Sequence, residues 1–425
     1  MIINDKTWEF VGRHVGDDVR KLALQGAKDA GVDLPMALQQ IAGRQAARRK
    51  LPTWAATEGI LYPPHLNMEQ CSSEQTARYK ARLLDGKYTG GGYVDLTGGF
   101  GVDFYWMAEA IARHPSSATR HLLYYIEQNE ELCALAEHNF RLLGLACSVC
   151  RGDASAYLAG MEPAAVVYLD PARRNAGGNR TYGIADCTPN VLELLPLLSE
   201  KAGCVILKLS PMLDWRKAVS DLNGPADGKP SPLRVSEVHI VSVGNECKEL
   251  LIVLEKGAPR PLRLCCVNDE STFEVALSMQ STSPNGANYE SEPCGLSFRT
   301  VRTLPANYLY EPNASIMKAG CFGELCRRYP VRAVAANSHL FLSSVEIGDF
   351  PGRKFQISAI SSMNRKELNP VLSPLKSANI AVRNFPMTAE QLRRKLKMKD
   401  GGDHFIFATT LADGQHSLFI CRKIG

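Results

Sequence analysis

The sequence of 425 residues is long enough for two or three domains, and its 45% hydrophobic and 22% charged residues are those of an ordinary soluble protein. It contains no apolar run near the roughly 20 residues that a membrane helix needs, and residues 1–5 lack the basic and apolar character of a secretion signal. These features argue against a membrane protein and predict a cytoplasmic one. The net charge is +5, and the distribution of this charge along the chain is more informative about a binding partner than its size.

The N-terminal region, residues 1–85, is predicted to be helical. Over residues 7–51 apolar side chains recur at roughly helical spacing. Gly31 and Pro35 separate two predicted helices, and a loop is expected over residues 52–66.

A further helix is predicted just before the first strand. Ser72 stands three residues before Gln75, which is the spacing of a capping box, and the helix is expected to continue over residues 77–84. Two interpretations are open. The helix is either only well capped, or its free N-terminal amides, next to Ser73, meet the carboxylate of a bound cofactor.

Residues 93–103 predict a strand, a tight loop and a helix. An apolar run ends at Asp95, and the following turn contains Gly98, Gly99 and Gly101. These glycines permit positive φ and let the backbone approach a ligand, while the first amides of the next helix face it. Such a loop is typical of a cofactor site.

The carboxylates beside this loop indicate which cofactor it binds. A pyrophosphate loop follows the pattern G-x-G-x-x-G, whereas this one reads G-G-x-G between Asp95 and Asp103. Two carboxylates would repel a diphosphate but suit the cationic sulfonium and amino groups of S-adenosylmethionine. That cofactor is therefore predicted, and the candidate binding residues in this stretch are Asp95, Thr97, Gly98, Gly99, Gly101 and Asp103.

Strands and helices alternate beyond the loop, which predicts a mostly parallel sheet with helices on both faces. A strand ending at Glu127 places a carboxylate where doubly wound folds bind a ribose diol, although a surface glutamate is the alternative. Asp153 follows the next strand and is placed to accept from an adenine amine, but helix capping alone could account for it. With a final hairpin over residues 235–254 the sheet has seven strands, ending antiparallel.

A second decisive stretch is the apolar strand that leads to Asp170. The carboxyl ends of the strands are where such folds place their chemistry, so Asp170, Pro171 and Arg173 are the candidate catalytic residues. Pro171 fixes the backbone there. The glycine-containing loop over residues 175–182 suits a mobile substrate flap.

The thirteen cysteines are scattered over the chain, which indicates reduced thiols. One C-x-x-C motif joins Cys147 to Cys150 without a second pair to complete a zinc site. No metal site is predicted.

The basic charge is concentrated at the C-terminus. Residues 353–425 contain 13 Lys and Arg against 5 Asp and Glu, a net charge of +8, so the remaining 352 residues carry −3. Contact with a polyanion would explain this concentration, as would a solvated face. Polar residues over 278–293 predict a linker, and the expected domains are 1–85, 86–277, 278–350 and 351–425.

With these motifs in hand, the chain resembles class I S-adenosylmethionine-dependent methyltransferases. More narrowly, it resembles a bacterial family in which that domain precedes a ferredoxin-like and a THUMP-like module. The specific stretches are DLTGGFGVD at 95–103, DPARR at 170–174, RNFPM at 383–387 and GGD at 401–403. The resemblance implies an α/β chain with a Rossmann-like seven-stranded domain, an N-terminal helical region and a C-terminal α+β region.

The resemblance also implies roles and a substrate. Asp95 and Gly99 would lie at the methionine end of the cofactor, Glu127 at its ribose and Asp153 at its adenine. THUMP domains bind RNA in RNA-modifying enzymes, so an RNA substrate is expected. Amine-directed nucleic-acid methyltransferases commonly have Asn or Asp, two prolines and an aromatic residue at the fourth strand. This chain has Asp170 and Pro171 but then Ala172 and Arg173, so the aromatic residue is missing. Arg173, or Tyr182 from the flap, is left to replace that ring.

Three hypotheses follow, of which an RNA methyltransferase leads. The second is a methyltransferase acting on a small molecule or a protein, and deletion of residues 353–425 would separate it from the first through RNA affinity. The third is a non-catalytic RNA-binding protein that retains the cofactor pocket. The sequence indicates neither the acceptor atom nor the oligomeric state.

Overall fold

A computed structural model describes residues 3–27, 29–85, 91–113, 122–173, 183–226, 229–230, 232–257, 261–277, 298–303 and 307–424. The chain forms two compact units. The first comprises Met1–Val238 and Leu250–Arg260, and the second comprises His239–Glu249 and Pro261–Gly425. The predicted linker over 278–293 and the predicted flap over 175–182 lie outside the described residues.

The first unit is an α/β structure. Its helices are α1 (Asp5–His14), α2 (Val19–Gln25), α3 (Leu34–Lys50), α4 (Pro52–Ala56), α5 (His65–Gln70), α6 (Glu74–Arg82), α7 (Val102–Ala112), α8 (Glu130–Leu142), α9 (Ala154–Gly160), α10 (Val191–Lys201) and α11 (Trp215–Asn223), with one 3₁₀ turn at Ile184–Asp186. Its strands are β1 (Gly92–Asp95), β2 (Leu122–Glu127), β3 (Ser148–Arg151), β4 (Ala164–Leu169), β5 (Ala172–Arg173), β6 (Cys187–Thr188), β7 (Ala202–Leu209), β8 (Pro225–Ala226) and β9 (Lys229–Pro230). Two longer strands, β10 (Leu233–Val243) and β11 (Glu246–Lys256), begin or end in this unit.

Within the described ranges, the larger sheet has nine strands, where seven were predicted, and the strands introduced so far follow in it in the order β3-β2-β1-β4-β7-β11-β10. Strands β3, β2, β1, β4 and β7 pair in parallel, and β11 pairs antiparallel with β7. This confirms the predicted α/β class with a mostly parallel, Rossmann-like sheet that ends antiparallel. Because the five parallel strands run the same way, Asp95, Glu127 and Asp170 all come at or just after the carboxyl ends of their strands.

The N-terminal region is helical, as predicted, but its divisions differ. Three helices, α1 to α3, precede residue 51 instead of two, because Asp18 caps an additional helix through the amides of Arg20 and Lys21. The expected loop over 52–66 contains α4. The N-cap of α6 is Ser73, whose Oγ accepts from the Thr76 amide at 3.2 Å, and not Ser72.

The second unit is α+β. Its elements are β12 (Leu262–Asn268), β13 (Ser271–Leu277), α12 (Phe298–Thr303), β14 (Tyr308–Pro312), α13 (Ala314–Ala319), α14 (Phe322–Arg328), β15 (Arg332–Ala333), β16 (Phe341–Ser343), β17 (Gly352–Ser362), α15 (Arg365–Leu372), β18 (Asn379–Arg383), α16 (Ala389–Leu396), β19 (His404–Thr410) and β20 (His416–Ile424). Strands β14 to β20 form one sheet in the order β15-β16-β14-β17-β20-β19-β18.

That sheet has a hydrophobic core on each face. One core contains Leu309, Phe355, Phe407 and Phe419, and the other lies under α15 and α16 and contains Leu368, Leu392 and Ile406. In the part of the chain that the structure describes, no helix is long and apolar enough to cross a membrane.

Candidate active site

The glycine loop between β1 and α7 is held by its own backbone and by aromatic rings. The Gly98 amide donates to Ile126 O at 2.8 Å, and Gly101 begins α7 with a φ of +86°. A Cβ at Gly101 would lie 2.6 Å from Cζ of Phe140, and one at Gly98 would overlap the Tyr125 ring. Tight packing therefore requires glycine at both positions, and the positive φ adds a second reason at Gly101.

The loop begins at a buried carboxylate. Asp95 is 1% exposed, and its Oδ1 accepts from the Thr97 amide at 2.9 Å. Burial raises the pKa of Asp95 well above its usual value. A cationic group placed against this carboxylate would offset that cost.

Thr97 connects the loop to the next strand in the sheet. Its Oγ1 accepts from the Asp170 backbone amide at 2.6 Å. The glycine loop therefore fixes the main chain at the end of β4, where Pro171 is buried.

Two predicted nucleotide-binding carboxylates lie on or after neighbouring strands. Oε2 of Glu127 accepts from the Gly99 amide at 2.9 Å, so this half-buried carboxylate contacts the glycine loop directly. Oδ1 of Asp153 caps α9, and its Oδ2 accepts from Nε2 of Gln128 at 2.8 Å. Helix capping by Asp153 is thus observed, and its contact with adenine stays a prediction.

Four charged side chains form a buried charge cluster, which consists of Lys80, Asp103, Asp170 and Lys208. Nζ of Lys80 lies 3.1 Å from Oδ1 of Asp103. Nζ of Lys208 lies 3.4 Å from Oδ2 of Asp103 and 2.6 Å from Oδ2 of Asp170. One lysine therefore bridges the carboxylate at the start of α7 and the one after β4.

Two hydroxyls complete the surroundings of Asp103. Ser72 Oγ donates to its Oδ2 at 2.7 Å, and Tyr168 OH donates to the same atom at 2.9 Å. Burial alone would raise the pKa of Asp103, but Lys80 and Lys208 outweigh that effect and lower it to about 2. Asp103 is therefore an ionised anchor for both lysines, and its part in cofactor binding stays a prediction.

Asp170 is the exposed member of the buried charge cluster. Its side chain is 38% exposed, against 11% for Asp103 and Lys208 and 0% for Lys80. Burial raises the pKa of Asp170, and the neighbouring Lys208 opposes that rise. This carboxylate is therefore the member of the cluster that is most accessible to a second molecule.

The residues after Asp170 are described only in part. Ala172 and Arg173 form β5, which pairs with β6. The Arg173 side chain and Tyr182 lie outside the described residues, so the replacement for the missing aromatic ring stays a prediction.

Sequence reasoning missed both lysines of the cluster. Lys208 is the one charged residue in the apolar strand β7, and Lys80 lies on the buried face of α6 with Ala77 and Ala81. The available signal was a charged residue at a position that the hydrophobic periodicity of the helix or strand assigns to the core. Among the described residues no group of three or more potential metal ligands occurs.

Comparisons with known proteins agree with this fold. Residues 308–351 match a ferredoxin-like domain, and residues 352–423 match a THUMP domain-like family. The whole chain aligns with the whole of a predicted methyltransferase from Porphyromonas gingivalis W83, at 28% identity and a TM-score of 0.79. By structural similarity over its whole length, the chain is a methyltransferase with C-terminal ferredoxin-like and THUMP-like domains.

A more distant neighbour of this methyltransferase is a predicted class I S-adenosylmethionine-dependent methyltransferase from Listeria monocytogenes. Its identity is 10% and its TM-score 0.40, and the alignment covers 63% of this chain and 94% of the other. No curated protein matches the methyltransferase sequence.

Proposed function

We propose that this methyltransferase transfers a methyl group from S-adenosylmethionine to RNA, and that Asp170 positions the acceptor. One observation carries the proposal. The Asp170 amide is fixed by Thr97 of the glycine loop and its carboxylate by Lys208, yet the side chain is 38% exposed. A carboxylate that is both held and accessible is suited to orient an acceptor beside the cofactor loop.

The donor set around the glycine loop fits the proposed cofactor. Asp95 would face its cationic methionine end, where a positive charge offsets the cost of the buried carboxylate. Glu127 would accept from the ribose hydroxyls and Asp153 from the adenine amine, and the α6 amides next to Ser73 would face the cofactor carboxylate. The bound cofactor supplies a methyl group that is already activated as a sulfonium.

The protein then has to align the acceptor and handle its proton. The Asp170 carboxylate would accept a hydrogen bond from an N–H or O–H of the acceptor, and Lys208 would keep that carboxylate ionised and oriented. Pro171 would hold the main chain after it, and Arg173 would contact the acceptor.

RNA as the acceptor is supported by the C-terminal region. The THUMP-like match covers residues 352–423, and residues 353–425 carry a net charge of +8. A basic module of this kind supplies the phosphate neutralisation on which RNA affinity depends. We therefore assign methyl transfer to residues 86–277 and RNA binding to residues 351–425.

The first experiment follows labelled methyl from S-adenosylmethionine into total RNA taken from a strain that lacks this protein. Total protein and small metabolites are offered in parallel. Asp170→Ala should lose most turnover while keeping cofactor affinity. Asp221→Ala, which changes a partly buried acid on α11 that pairs with Lys217, should retain both.

The other outcomes discriminate among the alternatives. Label in protein or in a metabolite would show that the acceptor is not RNA. Cofactor binding without label in any fraction would support a non-catalytic RNA-binding protein. Loss of cofactor binding in Asp170→Ala would contradict the acceptor role of Asp170.

A further inference from the structure

A row of polar residues interrupts one core of the second unit, at one end of its sheet. Leu309 of β14 pairs with Phe355 of β17, and both belong to that core. Two residues further along β14, Glu311 pairs with Arg353 and faces the same side. The apolar lining therefore gives way there to charged side chains.

Glu311 is bound by two arginines from different strands. Oε2 accepts from Nε of Arg353 at 2.6 Å, and Oε1 accepts from Nε of Arg383 at 3.1 Å, while the Nη2 group of each arginine contacts the same oxygen as its Nε. The Glu311 side chain is 5% exposed, but those of Arg353 and Arg383 are 39% and 35% exposed. This trio has a net charge of +1, and more than a third of each arginine side chain is exposed.

Two hydroxyls beside Arg383 supply an independent observation. Arg383 pairs with Thr409 of β19, and Thr409 pairs with Ser417 of β20, so the three side chains lie on one face. Thr409 and Ser417 are 0% exposed, and their hydroxyls have no partner in the part of the chain that the structure describes. Buried polar groups are normally paired, so these two hydroxyls leave unused hydrogen-bonding capacity on the face that carries Arg383.

We propose that Arg353 and Arg383 bind a backbone phosphate of RNA. The inference rests on the RNA methyltransferase function proposed above and names where that RNA is held. Guanidinium groups match the geometry of phosphate oxygens, and Glu311 orders both side chains before the phosphate arrives, which lowers the entropy lost on binding. A phosphate at this position would neutralise the +1 charge of the trio.

The test measures the affinity of the full-length protein for a fluorescein-labelled single-stranded RNA of mixed sequence over a series of salt concentrations. Arg383→Gln should weaken binding by about tenfold and lower the salt slope by roughly 0.7 to 0.9. Arg394→Gln is the matched control, because it removes the same charge from the same domain at a side chain that is 79% exposed.

Glu311→Gln separates binding from mere support of the fold. It breaks the same ion pair as Arg383→Gln and loses the ordering by Glu311, but it keeps both guanidinium groups, so it should lose less RNA affinity than Arg383→Gln. Equal losses in Glu311→Gln and Arg383→Gln would show that the trio only holds the strands together. Unchanged affinity in Arg383→Gln would overturn this inference alone, whereas a wild-type protein without RNA affinity would overturn the RNA substrate as well.

Discussion

Nζ of Lys208 lies 2.6 Å from Oδ2 of Asp170, so the carboxylate proposed to orient the acceptor is itself held by a buried cation. The topology produces this pair, because Leu169 of β4 and Leu207 of β7 are register partners and the next residue of each strand carries the charge. The same Nζ reaches Asp103 at 3.4 Å. The two carboxylates are thereby coupled through one ammonium group.

Replacing Lys208 should change the pH dependence of methyl transfer. Lys208→Met removes the cation that opposes the burial-induced rise in the pKa of Asp170, so that pKa should rise further. If transfer requires ionised Asp170, the acid limb of the pH–rate profile moves to higher pH, and the rate below that limb falls tenfold for each pH unit. Single-turnover rates across pH measure the shift.

Lys208→Arg is the conservative comparison for this profile. It keeps the positive charge, so its acid limb should stay near that of the wild-type protein even if the altered shape lowers the rate. An acid limb that moves equally in both variants would contradict control of Asp170 by the Lys208 charge.

Removal of Lys80 should destabilise the first unit strongly. Its Nζ is fully buried and lies 3.1 Å from both Asp103 Oδ1 and Ser72 Oγ. Lys80→Met would leave a buried carboxylate with one ammonium partner fewer, at a cost of about 3 kcal/mol in the free energy of unfolding. Urea unfolding followed by tryptophan fluorescence is suitable because all four tryptophans belong to the first unit.

A double variant tests the cause of that loss. Lys80→Met combined with Asp103→Leu removes both charges, so it should be less destabilised than the sum of the two single variants. Additive losses would indicate that shape, and not the uncompensated charge, dominates.

Asp103 should also make stability depend on pH in acid. Its pKa is about 2 in the folded protein, against 3.8 for an unperturbed aspartate. Its contribution, on the order of 2 kcal/mol, is present above pH 4 and is lost as the pH falls through about 2. Asp95 and Asp170 have the opposite effect on the pH dependence of stability, because their pKa values are raised in the folded protein.

A comparison with Asp103→Asn isolates this contribution. The difference in unfolding free energy between wild type and variant should be constant at neutral pH and shrink between about pH 4 and pH 2. A difference that does not change with pH would show that Asp103 stabilises the fold without its charge.

Gly101→Ala should cost more stability than Gly144→Ala, although both glycines have positive φ, of +86° and +73°. A Cβ at Gly144 meets nothing within 4 Å, whereas one at Gly101 meets Phe140 at 2.6 Å. Backbone strain of about 1 kcal/mol should affect both, and overpacking should add about 1 to 3 kcal/mol at Gly101 alone. Thermal unfolding and cofactor titration would measure the contrast, and equal losses would exclude the packing cause.

Much of the fold could be predicted because its signals are local. The mostly parallel sheet follows from alternating apolar strands and amphipathic helices. The glycine loop follows from its clustered glycines, which a chain needs only where the backbone has a positive φ or approaches another group closely. The carboxyl-end placement of Asp95, Glu127 and Asp170 follows from the parallel sheet itself.

The buried charge cluster could not be predicted in the same way. Lys80 and Lys208 are 128 positions apart in the sequence, and only the packing of α6 and the pairing of β7 with β4 bring both to Asp103. Adjacent serines left the cap of α6 ambiguous, because either has a hydroxyl that can accept from an amide. The structure uses Ser73 for the cap and Ser72 for Asp103.

The path of the chain limits how this protein can be dissected by truncation. The polypeptide leaves the first unit after Val238, returns at Leu250 and leaves again after Arg260, so no single cut yields one whole unit. Deletion of residues 353–425 would strip β14 of its partner β17 and divide the core around Phe355. If a shortened protein failed to bind RNA, the cause could be the disrupted sheet as well as the missing RNA site. Point substitutions, which leave the strands in place, are therefore the better test of RNA binding in this protein.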